Sequence, residues 1–326
     1  MTAGRLFGGR LPAPMLPSLG TKPFDSDEWL FELKWDGVRL ICLVERGRVT
    51  AVSRTGRDML PFFPELKALP RAFKRLPVVV DGEIVSLDAR GHSSFQRLQP
   101  RINRLRGGDP TPGRIAFVAF DLLGKGETDL RGRTLDDRKT ALESAIAGND
   151  DFVMRSKHVV GTGKRLFAQA GKLGIEGIVA KRRASPYVSG RSRDWLKLKA
   201  VLSQEFVIIG WTEPRGSRRH IGALLLGVYE RGKLRFAGHV GTGFNAATLS
   251  DLHRRLAPLE TKRSPIGEVP VTNSPLHWVR PALVAEIKFA EWTYDGVLRH
   301  PSYLGLRIDK RPKDCVRESP ARGAKR

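Results

Sequence analysis

The chain has 326 residues, enough for two domains of ordinary size, each long enough to bury a core. Lys and Arg number 57 against 34 Asp and Glu, a formal charge of +23, which points to a polyanionic partner, most simply nucleic acid. Two cysteines without CxxC spacing, Cys42 and Cys315, argue against a disulfide scaffold or a cysteine zinc site, and no apolar run approaches the roughly 18 residues of a membrane span. The proline-broken first 20 residues do not form a secretory signal, so a cytoplasmic, nucleoid-associated protein of prokaryotic type without membrane contact is expected. The basic excess is shared: residues 1–200 hold 36 basic and 22 acidic side chains, residues 201–326 hold 21 and 12.

In chain order, residues 30–36, 38–44 and 48–53 alternate or run apolar around an Arg46-Gly47 turn and read as a strand meander. Further strands are expected at 77–87, 114–122, 177–181 and 195–199, with helical periodicity at 135–147 and 163–173. The pattern predicts an α+β domain on antiparallel sheet over residues 1–200. The character then changes. Strands are expected at 205–211, 223–230 and 233–239, the last two joined at Arg231-Gly232, followed by an amphipathic helix at 245–259 and more strands within 279–293. Several short strands with one intervening helix suit an OB-type barrel at 201–312, with the boundary near 200–204. Residues 313–326 are polar and basic and are expected to form a disordered tail.

The chemistry gathers around Phe31-Glu32-Leu33-Lys34-Trp35-Asp36-Gly37-Val38-Arg39. On a strand, Glu32, Lys34 and Asp36 would share a polar face opposite Phe31, Leu33 and Trp35. A lysine becomes a nucleophile when cations or desolvation pull its pKa down from about 10.4. Asp81-Gly82-Glu83 starts a later strand with two carboxylates on one face. Phe117 to Leu123 offers aromatic rings beside Asp121; these rings suit a nucleobase and equally suit the core. Glu176 and Lys181 follow, and then Trp195-Leu196-Lys197-Leu198-Lys199 places two lysines on one face and two leucines on the other. Such lysines could grip phosphate or form a solvated face.

These residues, in this order, resemble the covalent nucleotidyltransferases, the superfamily of ATP-dependent DNA ligases and mRNA-capping enzymes. The resemblance is strongest to the ligase module of bacterial ligase D-type end-joining proteins, through Pro14-Met15-Leu16, Ser94 to Gln99 and Arg299 to Lys310, and it covers residues 14–312. It implies an adenylation domain followed by an OB-fold domain. It also implies that ATP adenylates Lys34, that AMP passes to the 5′-phosphate of a DNA break, and that the 3′-hydroxyl displaces it. By the same resemblance Glu32 meets the adenine edge, Arg39 and Arg54 hold ribose or a DNA phosphate, and Glu83 binds the ribose hydroxyls. Phe120 stacks on adenine and Lys181 belongs to the nucleotide pocket. Glu176, with Glu83, holds a divalent metal, Mg2+ or Mn2+. Lys197 and Lys199 stabilise the α-phosphate, while Arg307 and Lys310 orient pyrophosphate. The second domain would close over ATP and then swing to clamp DNA, with residues 200–204 as the hinge.

Gly161-Thr162-Gly163-Lys164 lacks the remaining residues of a phosphate-binding loop and reads as a helix N-terminus. The seven histidines are scattered without a ligand spacing. A stand-alone ligase is expected, since no phosphoesterase or polymerase segment accompanies the module, and with only 33 residues before Lys34 it is expected to lack the large helical DNA-binding domain of eukaryotic-type ligases. Nothing reads as a coiled coil or exposed apolar seam, so a monomer is expected. The partner is nicked or broken duplex DNA, with a Ku-like end-bridging protein as a possible second partner. Capping enzymes and RNA ligases share the Lys-x-Asp-Gly pocket, so Lys34 does not separate them from a DNA ligase; the stretches 94–99 and 299–310 favour DNA.

Overall fold

The computed structural model describes residues 7, 10–103, 113–148, 151–215, 220–267, 270, 272 and 274–318. The chain divides into two compact units between Ala200 and Val201.

The first unit is built on two sheets. One has five strands, ordered Met15–Leu19, Gly190–Lys199, Gly177–Arg182, Ser26–Leu33 and His158–Gly161. The other runs from Arg48–Ser53 through Val38–Glu45, Val78–Leu87 and Arg114–Lys125 to Thr128–Asp129, with Val153–Arg155 alongside. Antiparallel pairing dominates, as the short-strand pattern predicts. The exceptions are Met15–Leu19 against Gly190–Lys199 and Arg114–Lys125 against Val153–Arg155, which run parallel. Met15, Tyr187 and Trp195 from the first sheet's side meet Ile41, Val79, Phe120 and Leu123 of the second in one buried cluster. The opposite face of the five-stranded sheet, Trp29, Phe31, Ile178, Ala180 and Leu198, is covered by Leu166, Phe167 and Ala170 of the helix Gly163–Lys172. Period-two alternation therefore gives each of these strands one face for the helix and one for the cleft.

Helix Leu135–Ala145 opens where Thr134 Oγ1 accepts the Asp137 amide at 3.2 Å, an N-cap strengthened by Asp136 and Asp137 in the first turn. The helix is pinned by Arg138, fully buried, which donates to Asp121 at 2.8 and 3.0 Å and to the carbonyls of Arg133 and Ser185.

The second unit, Val201–Glu318, is a seven-stranded barrel-like sheet of the OB type. Ser203–Thr212 pairs with Leu224–Glu230, Leu276–Val279 and Val284–Lys288, and the last also pairs with Ser302–Leu306. The hairpin at Arg231-Gly232 forms as predicted, with φ of +48° and +78°, the two positive values a tight two-residue turn requires. Helix Ala246–Leu256 is capped by Asn245 and seals the barrel core with Leu249, Leu252 and Leu256.

Two expectations are corrected, and three elements were not foreseen. The strand predicted at 30–36 ends at Leu33, because the chain must turn before Val38–Glu45 joins the other sheet. The alternation read from sequence thus extends through Glu32 but not to Asp36. The helix Phe95–Asn103, nine residues with Pro100 inside it, and the short strands Met15–Leu19 and His158–Gly161 were not read from the sequence. The tail expected to be disordered from 313 is ordered through Glu318: Cys315 is buried, its carbonyl accepts the Tyr229 amide at 2.7 Å, and Gln204 bonds to both Val316 and Glu318. Burying one thiol and closing a sheet edge outweighs the polar composition of that stretch. Residues 319–326 lie outside the described residues.

Candidate active site

Strand register assembles the site. Val179 stands opposite Glu32 on one side and Lys197 on the other, while Gly177 stands opposite Lys199 and Lys181 opposite Leu30 and Trp195. Cross-strand neighbours share a face, so Glu32, Lys181, Trp195, Lys197 and Lys199 project from one surface of the five-stranded sheet. Lys34 joins them one residue past its strand, its amide donating to the Gly177 carbonyl at 2.9 Å. The two flanking glycines allow this closeness. A Cβ on Gly177 would meet the Leu198 carbonyl oxygen at 2.1 Å, and one on Gly37 would meet that of Ile84 at 2.2 Å.

Lys34 Nζ donates to Glu176 Oε2, and Lys199 Nζ stands 3.9 Å from Glu176 Oε1. The Lys34 side chain is 24% exposed. Burial pushes the Glu176 carboxyl upward, but Lys34, Lys199 and Lys197 outweigh it and hold the group below the usual carboxylate range. Asp36, expected beside Lys34, instead turns to the helix Phe95–Asn103: Oδ2 accepts the Phe95 amide at 3.0 Å and its own amide donates to Ser93 Oγ. It anchors the loop behind Lys34 to a helix N-terminus, where a carboxylate is favoured.

Glu32 is buried, its carboxylate paired with Lys139 through Oε1 and with Lys181 through Oε2 at 3.2 Å. Here too burial pushes the carboxyl up and the two lysines bring it below the ordinary value. Lys181 shows the reverse balance. Burial outweighs the attraction of Glu32 and lowers its pKa to about 8. Its ammonium lies 4.4 Å from the Phe120 ring centroid and 4.2 Å from that of Trp195.

Arg39 enters from the second sheet, forked onto Asp81 at 2.9 and 2.5 Å and stacked 5.2 Å from Phe120 and 5.3 Å from Trp195. Tyr187 donates to the same buried Asp81 at 2.7 Å, so the guanidinium is fixed from below. Glu83, half-buried, stands opposite Arg39 in the strand pair. Arg54 follows Ser53, which pairs with Leu40, so it stands at the same end of that sheet. Phe120 is nearly buried between the two cations and lines the recess rather than standing free of the core.

Arg307 and Lys310 belong to the second unit. Arg307 donates to both oxygens of Asp309 at 2.8 Å and to Glu286 at 2.5 Å, while Lys310 meets Glu205 at 2.7 Å. Among the described residues no three His, Cys, Asp or Glu side chains form a complete metal cage. One or two ionised carboxylates completed by phosphate oxygens and water is nevertheless a usual Mg2+ environment, and Glu176, held ionised, suits it.

Sequence reasoning missed Lys139, Asp81 and Tyr187. Lys139 lies on a helix outside every motif, Asp81 reads only as one of two carboxylates with Glu83, and nothing in the spacing around Tyr187 marks it.

A partly exposed lysine beside an ionised carboxylate, backed by two more lysines and an aromatic recess, is equipped to capture a nucleotide on its amine. The chain belongs to the ATP-dependent DNA ligase family: the family description "ATP dependent DNA ligase domain" matches residues 14–199 and "ATP dependent DNA ligase C terminal region" matches residues 217–310. It is 42% identical over 325 residues to the multifunctional non-homologous end joining protein LigD of Pseudomonas aeruginosa, covering 96% of this chain and 38% of that protein. The LigD DNA repair protein of Mycobacterium tuberculosis is 41% identical over 311 residues, covering 94% and 40%. This chain therefore spans about two fifths of the length of these relatives. Among solved structures, a mycobacterial DNA ligase D complexed with ATP and MES matches with a TM-score of 0.68 at 39% identity, covering 94% of this chain and 98% of that one. The ligase domain of M. tuberculosis LigD matches with a TM-score of 0.51 at 40% identity over the same shares. No helix among the described residues is long and apolar enough to cross a membrane.

Proposed function

We propose that the chain seals 5′-phosphate/3′-hydroxyl breaks in duplex DNA, working in end joining or repair, with DNA ends presented by a Ku-like bridging protein. The observation that carries this is the placement of Lys34 against Glu176 with Lys199 beside them.

In the first step the unprotonated amine of Lys34, its ammonium proton released to solvent while Glu176 stays ionised beside it, attacks the α-phosphorus of ATP. An N–P bond forms, the bond to the bridging oxygen breaks, and pyrophosphate leaves. Lys197 and Lys199 balance the charge that builds on the α-phosphate oxygens in a partly dehydrated cleft, where such donors act most strongly. The nucleotide's base lies toward Glu32, Lys181 and Phe120, and its ribose toward Glu83, Arg39 and Arg54. Mg2+, held by Glu176 with Glu83, would screen the phosphates when bound. Arg307 and Lys310 of the second unit serve the departing pyrophosphate. The lysyl-bound AMP then passes to the 5′-phosphate, restoring the amine, and attack by the 3′-hydroxyl expels AMP. DNA is held through its phosphates by the basic surfaces of both units, so nick affinity falls steeply with salt.

The test is a denaturing gel after incubation with α-labelled ATP and Mg2+, wild type beside Lys34→Ala, with nicked DNA as chase. Label lost in the variant and discharged by the nick supports the reading. Label that survives Lys34→Ala, or is not discharged by DNA, overturns it.

A further inference from the structure

One charged group in the cleft has no place in the phosphate chemistry. Lys139 lies on helix Leu135–Ala145, outside every motif that the resemblance marks, yet its side chain is only 9% exposed and its ammonium ends on Glu32 Oε1. The helix cannot roll to release it. The neighbouring Arg138 is fully buried in its fork on Asp121 and on two carbonyls, and Thr134 caps the first turn.

The charge count around Glu32 is uneven. One carboxylate faces two ammonium groups, Lys139 and Lys181, with His158 opposite it on the neighbouring strand and the Ser156 hydroxyl bonding to the carboxylate. Burying a second lysine is costly unless it is matched, and a plain structural pair would need only one. Six N–H donors meet an acceptor with about four lone-pair sites. Lys139, Lys181 and Ser156 each engage one of those sites, which leaves one for a further donor, while the two ammonium groups keep N–H bonds that Glu32 does not accept. That pair of demands has the polarity of adenine's outer edge, an amino donor at N6 beside the N1 acceptor. A hypoxanthine or guanine edge offers the opposite, a carbonyl at position 6 and an N–H at N1.

We propose that Lys139 is a positioning residue for nucleotide choice: by occupying Glu32 Oε1 it keeps Oε2 turned toward the base and leaves Lys181 free to be shared with it. This rests on the ligase reading, in which Glu32 faces adenine. Without Lys139 the remaining lysine is drawn wholly onto Glu32, the carboxylate turns, and the recess no longer distinguishes N6–H from O6.

The experiment measures single-turnover self-adenylation of the full chain with ATP and with inosine triphosphate, for wild type, Lys139→Met and Lys139→Arg. The ratio of the two kcat/KM values is independent of the active fraction, so partial misfolding does not distort it. The ATP preference in Lys139→Met should fall by about tenfold or more, the usual worth of a hydrogen bond to a charged group, and mostly through KM for ATP. Lys139→Arg should keep most of the preference. Equal losses for both nucleotides with an unchanged ratio would mean that Lys139 serves packing alone. If Lys139→Met is insoluble, the ratio for Lys139→Gln decides by the same rule. Wild type that takes label from neither nucleotide would instead bring down the ligase reading, a separate outcome.

Discussion

Two carboxylates in the first unit are each flanked by two lysines, Glu176 half-buried and Glu32 buried, and they are suited to different tasks. Glu176 meets Lys34 and Lys199 at the mouth of the cleft, where the Lys34 side chain keeps 24% of its surface open. Glu32 meets Lys139 and Lys181 at the back, where both lysine side chains are 9% exposed or less. Burial pushes both carboxyls up, and in both the lysines bring them below the ordinary value. The charges match; the solvent does not. An exposed amine can exchange partners and protons and so can react, whereas a sealed one has a fixed geometry and can only select. The lesson is that charge count locates a candidate site, and accessibility assigns the tasks within it.

Several measurements would sharpen or break that contrast. Replacing Lys34 by Ala should remove self-adenylation by about 10^4-fold or more, as expected for loss of a nucleophile, with the melting temperature little changed. Glu176→Ala should cost adenylation on the order of 10^2–10^3-fold, the range seen when one electrostatic partner of a reacting group is removed. If Glu32→Gln slowed the reaction as much at saturating ATP, the division into reacting and selecting ends would be wrong. Arg138→Met leaves Asp121 as an uncompensated buried charge and should destabilise the first unit by about 3–5 kcal/mol in denaturant unfolding. A loss below 1 kcal/mol would show that the helix carrying Lys139 is held by other contacts.

The smallest effect concerns pH. Lys181 is depressed to about 8 because burial outweighs Glu32, so its charge is lost as pH rises through that value. KM for ATP should then climb by up to about tenfold per pH unit above 8. Lys181→Arg, which stays charged, should flatten the profile. Stability follows the opposite sign. Between about 8 and 10.5 the unfolded chain holds the proton that the folded one has released, so this group's contribution to stability rises with pH across that window. A profile of KM that is flat in wild type would remove Lys181 from the base recess.

Much of the first unit was legible because its strands alternate. Leu196 and Leu198 do face the helix while Lys197 and Lys199 face away, and in the second unit the Arg231-Gly232 turn carries the positive φ values its residues suggest. Alternation misled at Asp36, where the strand had already ended and the carboxylate had turned to Phe95. Lys139 gave no signal at all. In Leu135–Ala145 it looks like one more polar helix residue beside Arg138, and the burial of Arg138 and Lys139 depends on Asp121 and Glu32, 17 and 107 positions earlier in the chain respectively. The ordered segment 312–316 was hidden in the same way, since its partner Tyr229 lies more than 80 residues before it.

By itself the sequence determined the residue types, their order, and the period-two faces that set a lysine among carboxylates and further lysines; these are local properties, readable from spacing along one strand. Which carboxylate each lysine would meet, and which pair water would reach, was decided only by the tertiary structure. Register between strands and the docking of a helix far along the chain bring those groups together, and the free energy of burying a charge depends on everything that surrounds it.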